Sequence, residues 1–276
     1  KTAKHLSCTT DFILFYAKNI NSLKYRELFS VKKLGIGDST GKRYNQVQFP
    51  DQSWRPLNKN EKNTPNTIPQ DGKVFKQSNP CSQHDNVNHR KNPLTFEGKK
   101  YFPPKDRQWS SNLDNMQRLI KADRIISTGK NLAFKMFMDD YPLMPINNIW
   151  QDLLMRSERM YVVETASSVI QRCILLSTDP GDLVLDPTCG SGTTAFAAEQ
   201  WGRRWITLDT SRVSLALARS RLMGARYPYY ILSDSIEGNL KNQDVTGKII
   251  NEIETFNDIR QGFVYERAPH IGLKSI

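Results

Sequence analysis

Short apolar and polar runs follow one another in the C-terminal half of the chain, and their order predicts a strand–loop–helix–strand unit. Leu183–Leu185 is a wholly apolar run of the kind that forms a buried parallel strand. A helix is predicted through Ala195–Ala198, with Thr193 or Thr194 as its N-cap. Trp205–Leu208 is predicted to be a second strand. An α/β unit built on a parallel strand pair is therefore expected.

The loop between the predicted strand and helix has the residue types of a cofactor site. It contains Gly190 and Gly192, and glycines let backbone amides approach a ligand closely before a helix N-terminus. Asp186 ends the first strand and Asp209 ends the second, 19 residues after Gly190. An acidic residue reaches a ribose hydroxyl in dinucleotide folds at an offset of ~20 residues. The alternative is an ordinary glycine-rich turn beside a surface Asp.

Outside this unit, the apolar periodicity predicts further elements. Strands are predicted over residues 11–18, 134–138, 229–232 and 262–267, and helices over residues 113–122, 161–176 and 212–223. Ser211 is the predicted N-cap of the last helix, and Ser167 or Ser168 that of the second. Residues 33–98 are rich in polar residues, Gly and Pro. Irregular loops with one or two short strands and no core of their own are expected there.

The amino-acid composition indicates the class of protein and its cellular compartment. Hydrophobic residues make up 38% of the 276 residues and the mean hydropathy is −0.57, so a core with extensive polar segments is expected. No apolar run approaches the ~20 residues of a membrane span, so no membrane association is expected. The four cysteines lack the spacing of a disulfide framework, which indicates a reducing cytoplasm. Cys81, His84 and His89 cluster, but zinc normally needs four ligands, and chance clustering is the better explanation, so no metal is expected.

Positive charge is concentrated in the N-terminal part of the chain. Residues 1–110 hold 20 Lys and Arg against 9 Asp and Glu, whereas residues 111–276 hold 19 of each sign. Such a patch suits a phosphate backbone, and the pairs Lys32–Lys33 and Lys99–Lys100 are candidate phosphate contacts. The alternative is a solvated surface, which charge alone does not exclude.

Residues 186–194, Asp-Pro-Thr-Cys-Gly-Ser-Gly-Thr-Thr, resemble the motif D-P-F-C-G-S-G-T of DNA amino-methyltransferases. The order of motifs resembles that of their permuted, or beta, group. The resemblance implies an α/β, Rossmann-like, S-adenosylmethionine-dependent methyltransferase fold. Here we expect an incomplete sheet and an inserted irregular α+β target-recognition region. One departure is Thr188, where the family usually has a Phe packed against the cofactor.

The resemblance implies S-adenosylmethionine as the cofactor and assigns its site. A second segment, where the family has T-Q-K-P and this chain has Val163–Ala166, is expected to contribute to the methionine end of the pocket. The full candidate cofactor-binding set is Glu164, Thr165, Asp186, Pro187, Thr188, Cys189, Gly190, Ser191, Gly192, Thr193, Asp209, Thr210 and Ser211.

The resemblance also divides the chain into three parts. Residues 1–30 would be an edge strand of the catalytic half, residues 31–155 the target-recognition region, and residues 156–276 the S-adenosylmethionine-binding region. Asn148–Asp152 resembles the I-W-x-D sequence that closes the target-recognition region in these enzymes.

The catalytic motif of the family, [D/N/S]-P-P-[Y/F/W], is absent from the sequence. The Pro-Pro pair in Phe102–Lys105 has neither the polar residue before it nor the aromatic residue after it. No catalytic residue is therefore assigned. In the permuted order the motif would lie in a segment N-terminal to Lys1, and the strand Leu183–Leu185 would lack a neighbour without that segment. The chain alone is expected to be inactive, with the missing catalytic segment as a partner.

These features predict methylation of double-stranded DNA at an exocyclic amine, with adenine N6 favoured over cytosine N4. The expected context is a restriction-modification system, which makes a restriction subunit a further candidate partner. One alternative is a methyltransferase that acts on RNA or another substrate. The other is a non-catalytic DNA-binding subunit that retains the cofactor fold.

Overall fold

The computed structural model describes residues 10–35, 40–83, 91–150, 152–153, 165–249 and 254–276. The chain divides into two compact units. The first unit comprises Lys1–Leu28 and Asn147–Tyr265, and the second unit comprises Phe29–Ile146 and Glu266–Ile276. The larger part of the second unit, Phe29–Ile146, therefore lies in sequence between the two parts of the first unit, and its smaller part, Glu266–Ile276, ends the chain as given.

The second unit is built mainly of short antiparallel strands. Its strands are β1 Phe29–Val31, β2 Gln46–Gln48, β3 Trp54–Pro56, β4 Lys73–Ser78, β5 Cys81–Ser82, β6 Leu94–Phe96, β7 Lys99–Tyr101, β8 Gln108–Trp109, β9 Ile125–Ser127, β10 Leu132–Phe137 and β11 Leu143–Pro145. Its helices are α1 Lys59–Asn63 and α2 Leu113–Lys121. A five-stranded sheet has the order β3-β2-β4-β10-β9, and β1–β11, β5–β8 and β6–β7 are separate antiparallel pairs.

Helix α2 and strand β10 confirm the elements predicted over residues 113–122 and 134–138. The Asn112 side chain accepts a hydrogen bond from the Asn115 N–H and so caps α2. Met116 and Leu119 share one helical face and are fully buried. They belong to a core with Leu94, Tyr101, Trp109, Ile125, Leu132 and Phe134.

The expectation that residues 33–98 lack a core was wrong. Five strands, β2 to β6, lie in this range, and its buried apolar residues are Tyr44, Val47, Leu57, Val74, Phe75 and Leu94. The strands are two to six residues long, too short for alternation to stand out in the sequence. They are stabilised by distant partners, as in the pairing of Ser78 with Phe134.

The first unit contains α3 Ser167–Ser177, β12 Leu183–Asp186, α4 Thr193–Gln200, β13 Arg204–Thr207, α5 Arg212–Gly224 and α6 Ile236–Thr246. Strands β12 and β13 pair in parallel, from Leu183 opposite Arg204 to Asp186 opposite Thr207. Ile174, Ala197 and Ala198 form a small core against which Ile170, Val184 and Trp205 pack. The α/β, Rossmann-like fold with an inserted α+β region is thus as predicted.

Two predicted helix caps in the first unit were wrong. Gly192, in the left-handed conformation, is the N-cap of α4, so Thr193 is the first helical residue. Ala166 is the N-cap of α3 and Ser167 lies inside that helix. The predicted cap of α5 is confirmed, because the Ser211 side chain accepts a hydrogen bond from the Ser214 N–H.

Three predicted strands are not formed. Residues 11–18 contain no strand, and Phe12 and Tyr16 are 85% and 84% exposed. Residues 229–232 and 262–267 share a single antiparallel bridge, between Leu232 and Phe263. A strand requires a continuous ladder with a partner, and β-forming residues by themselves do not supply one. Within the described residues, β12 likewise pairs with β13 alone.

Candidate cofactor site

The loop between β12 and α4 is held in a conformation that needs glycine. Gly190 and Gly192 have φ angles of +50° and +79°, in the left-handed region. A Cβ atom added at Gly192 would lie 2.8 Å from the Cβ of Ala218 on α5, so α5 packs directly on the loop backbone. A Cβ atom added at Gly190 would meet no atom within 4 Å. The loop therefore has one packed side and, at Gly190, one open side.

Asp209 joins this loop to the start of α5. Its Oδ2 accepts a hydrogen bond from the Gly190 N–H at 2.9 Å, and its Oδ1 accepts one from the Ser211 N–H at 2.8 Å. These bonds, with the Ser211 amide contributing most, hold the pKa of the Asp209 carboxyl below its usual value. A carboxylate has about four lone-pair sites, so two amide bonds leave it able to accept hydroxyl hydrogen bonds from a ligand.

Asp186 occupies the matching position at the end of β12. Its Oδ1 accepts a hydrogen bond from the Thr188 N–H at 3.0 Å, which fixes the turn out of the strand. Its carbonyl oxygen accepts the Leu208 N–H at 3.0 Å, and the Leu208 carbonyl accepts the Cys189 N–H at 2.9 Å. The two strand ends are thereby connected, and their carboxylates lie at the same edge of the parallel pair.

The helix that follows the loop adds a favourable electrostatic feature. The first intrahelical bond of α4 runs from the Phe196 N–H to the Gly192 carbonyl. The amides of the first turn point out of the helix N-terminus, where the helix dipole favours negative or electron-rich groups. No side chain of the N-cap residue covers them, because that residue is Gly192.

The predicted site residues fall into three groups. The first group runs from the last residue of β12 to the first residue of α4 and comprises Asp186, Pro187, Thr188, Cys189, Gly190, Ser191, Gly192 and Thr193. The second group, in the β13–α5 connection, comprises Asp209, Thr210 and Ser211. The hydrogen bonds above bring these two groups together. Thr165 is exposed, two residues before α3, and Glu164 lies outside the described residues. Their roles in cofactor binding stay predictions.

Sequence reasoning missed two residues on α5 that contact the loop. Ala218 packs against Gly192, and the Arg221 Nη1 donates a hydrogen bond to the Thr193 Oγ1 at 3.0 Å. The buried face of α5 carries Ser214 and Ala218. Ser214 and Ala218 are small residues four positions apart, a spacing that favours close helix packing, and this signal could have identified Ala218. Nothing in the local pattern distinguished Arg221 from the other arginines of α5.

One candidate phosphate contact in the second unit was wrong. Lys32 is buried, its ammonium donates a hydrogen bond to the Tyr141 carbonyl, and it lies over the rings of Tyr44 and Tyr141. It is therefore not available to a phosphate. Lys99 and Lys100 on β7 are exposed.

Cys81 is half-buried and its pKa is raised by burial, and His84 and His89 lie outside the described residues. None of the described helices is long and apolar enough to cross a membrane.

The geometry is that of an α/β protein with a candidate nucleotide-type cofactor site at the end of a parallel strand pair. The profile of the N6/N4 methyltransferase family, described as DNA methylase, matches residues 1–219. The chain therefore belongs to this family of DNA amino-methyltransferases, whose cofactor is S-adenosylmethionine.

Individual relatives match shorter parts of the chain. It is 26% identical over 162 residues to the type II methyltransferase M.EcaI of Enterobacter cloacae, a match that covers 56% of this chain and 35% of M.EcaI. It is 48% identical over 54 residues to M2.DpnII of Streptococcus pneumoniae, which covers 20% of each chain. The chain thus spans about a third or less of these curated relatives. The crystal structure of an M1.HpyAVI–SAM complex matches 24% of this chain and 32% of that one, at 29% identity and a TM-score of 0.23.

Proposed function

We propose that this chain binds S-adenosylmethionine at the β12–α4 loop and serves the methylation of an exocyclic amine in double-stranded DNA. The main support for this proposal is the hydrogen bond between Gly190 and Asp209, which joins the glycine loop to the acidic residue that follows the second strand. Adenine N6 is the favoured target. A restriction-modification context is supported by the relatives M.EcaI and M2.DpnII, which are named type II methyltransferases.

The site residues fit the cofactor. The open space beside Gly190 lets a ligand approach the loop backbone. Asp209 would accept hydrogen bonds from the ribose hydroxyls, and Asp186 would hold the amino-acid end. When bound, the cofactor would supply an electrophilic methyl group for direct transfer to the amine; the C–S bond would break to leave a thioether, and the amine nitrogen would lose a proton. In this proposal no residue of the chain forms a covalent intermediate and no metal takes part.

We propose that the group that grips the target amine is supplied by a partner segment carrying [D/N/S]-P-P-[Y/F/W], the loop type that binds an extruded base. Two observations support this. The Pro-Pro pair at Pro103–Pro104 lies in the second unit, between Phe102 and Lys105. Leu183, Leu185 and Ile206, on one face of the β12–β13 pair, are about half exposed. A partner that completes the sheet would cover that face and pair with the edge of β12 that has no neighbouring strand among the described residues.

The second unit is proposed as the part that contacts DNA, in agreement with a target-recognition region over residues 31–155. It contains most of the N-terminal basic excess. Lys99 and Lys100 are exposed on the hairpin formed by β6 and β7. Exposed lysines on a short antiparallel hairpin are suited to phosphate contacts, which give affinity and orientation rather than base recognition. A restriction subunit remains a further proposed partner.

The test is methyl transfer from tritiated S-adenosylmethionine to mixed-sequence duplex DNA. It compares the 276-residue chain with the same chain joined to a segment carrying the catalytic motif, fused before Lys1 or added in trans. We expect both forms to bind cofactor and only the completed form to methylate DNA. Digestion of the product should release N6-methyladenine rather than N4-methylcytosine.

Each other result has a defined meaning. Methylation by the short chain, abolished by a change in the glycine loop, would refute the need for a partner segment. Transfer to RNA in place of DNA would support the alternative substrate class. DNA binding with no transfer by the completed form would identify a non-catalytic subunit that retains the cofactor fold.

A further inference from the structure

The face of α5 that meets the glycine loop carries two small residues and one arginine. Ser214, Ala218 and Arg221 follow one another at intervals of four and three, so they share one helical face. Ser214 and Ala218 are buried, and Ala218 leaves no room for a side chain at Gly192. This close approach brings the longer Arg221 alongside the loop and the first turn of α4.

Arg221 links the hydroxyl groups on the two sides of Gly192. Its Nη1 donates to the Thr193 Oγ1 at 3.0 Å and lies 3.4 Å from the Ser191 Oγ. The two hydroxyl oxygens are 3.4 Å from each other, and both residues are buried. The loop conformation at Ser191 and Thr193 is thus connected to α5 by a side chain as well as by backbone packing.

An aromatic contact orients the guanidinium. Its central carbon lies 4.9 Å from the centroid of the Phe196 ring on α4, within the range of a cation–π interaction. Tyr227 in turn packs against Phe196, with ring centroids 5.4 Å apart. A planar guanidinium can stack flat on the ring while its edge donates hydrogen bonds in the plane of the group, a geometry that the compact ammonium of lysine does not reproduce.

From this geometry we propose that Arg221 is the positioning residue of the cofactor loop. It holds Ser191 and Thr193 so that the Gly190–Gly192 backbone keeps its ligand-binding conformation. Arg221 acts through the loop and is not a catalytic residue. The proposal rests on the proposed function, because it assumes that this loop binds S-adenosylmethionine.

The test uses the full chain and five variants, with calorimetric affinity for S-adenosylmethionine and the melting temperature of the free protein as readouts. Arg221→Lys keeps the positive charge but loses the planar set of N–H donors and the stacking on the aromatic ring. Thr193→Val removes the hydroxyl at nearly constant shape. The third variant combines both changes, and Arg221→Ala is included for comparison. Arg219→Ala is the matched control, since Arg219 is exposed on the same helix.

We expect Arg221→Lys and Thr193→Val each to weaken binding about tenfold, because each loses one partly buried charge-assisted hydrogen bond. The double variant should bind no more weakly than the worse single variant, because both changes break the same contact. Arg219→Ala should bind as the wild type does. If Arg221→Ala fails to fold, Arg221→Lys carries the test alone. Wild-type affinity in Arg221→Lys, or additive losses in the double variant, would overturn the proposal.

Failure of the proposed function can be told apart from failure of this inference. If the wild-type chain does not bind S-adenosylmethionine, the proposed function fails, and amide hydrogen exchange of the free protein decides the role of Arg221. Arg221→Lys should then accelerate exchange at Ser191 and Thr193 relative to Arg219→Ala. Equal exchange rates in these two variants would show that Arg221 does not position the loop.

Discussion

The carboxylate of Asp209 accepts the backbone N–H of Gly190 at 2.9 Å, across 19 residues of sequence. This bond places the end of β13 against the glycine loop that follows β12. The carboxylate binds a loop amide on one side and, as proposed, ribose hydroxyls on the other. It therefore couples the conformation of the loop to ligand binding. The first prediction concerns this residue.

Replacing Asp209 with Ala should weaken the binding of S-adenosylmethionine by at least about tenfold, since charge-assisted hydrogen bonds to the ligand are removed. The affinity of Asp209→Asn should lie between those of the wild type and Asp209→Ala, because its amide oxygen can still accept a hydrogen bond. Calorimetry on both variants measures this, and Asp244→Ala, an exposed position on α6, is the control. An unchanged dissociation constant in Asp209→Ala would remove Asp209 from the site.

The two loop glycines should respond differently to an added methyl group. Gly192→Ala should destabilise the first unit by about 1–3 kcal/mol, because the new Cβ would lie 2.8 Å from that of Ala218 and the φ angle is positive. Gly190→Ala meets no neighbouring atom and should cost less stability, yet weaken cofactor binding by filling the open side of the loop. Thermal unfolding measures the loss of stability and calorimetry measures the loss of cofactor affinity. If Gly192→Ala weakened cofactor binding more than Gly190→Ala, the ligand would lie elsewhere.

The second unit should lose stability in acid through Glu61. Its carboxylate receives two hydrogen bonds from Arg55, at 2.7 and 2.8 Å, and caps α1 together with Asn58. The Arg55 guanidinium and the Asn58 N–H lower the pKa of Glu61 from 4.5 to about 2. Because the folded-state pKa is depressed, this stabilisation is complete above pH 4.5 and is lost progressively as the pH falls towards 2.

The substitution Glu61→Gln tests this dependence of stability on pH. At neutral pH it should lower the free energy of unfolding by about 2 kcal/mol, as expected when hydrogen bonds to a charged group are removed. The difference from wild type should shrink as the pH falls through this range. Denaturant unfolding at several pH values measures the effect, with Glu97→Gln, an exposed carboxylate, as the control. A difference that is independent of pH would contradict the assigned role.

Salt should weaken DNA binding through the second unit. Neutralising Lys99 and Lys100 together should flatten the slope of log affinity against log salt by about two units, roughly one for each phosphate that the protein no longer neutralises. Changing Lys241 and Lys248, exposed lysines of the first unit, should leave the slope unchanged. Fluorescence anisotropy on labelled duplex DNA measures both. If the wild type and both double variants gave equal slopes, the lysines of β7 would contribute to solubility and not to DNA binding.

The strand–loop–helix–strand unit and its acidic strand ends could be predicted from the sequence, because they depend on local signals. A short apolar run, two glycines at the loop and an acid 19 residues later are all contiguous features. The cap of α5 by Ser211 and the boundaries of α2 also follow from neighbouring residues. The family was visible in residues 186–194 for the same reason.

Only the tertiary structure decided which segments pair and which side chains meet. Residues 11–18 have the composition of a strand but no ladder, and the polar stretch 33–98 forms five strands, because pairing depends on partners far along the chain. Lys32 has the sequence context of a surface charge and is buried beside Tyr141. Arg221 lies 28 residues after Thr193 and reaches it through the packing of α5 on the loop. Such contacts between distant residues leave no periodic trace in a single sequence, since they are set by how the elements pack.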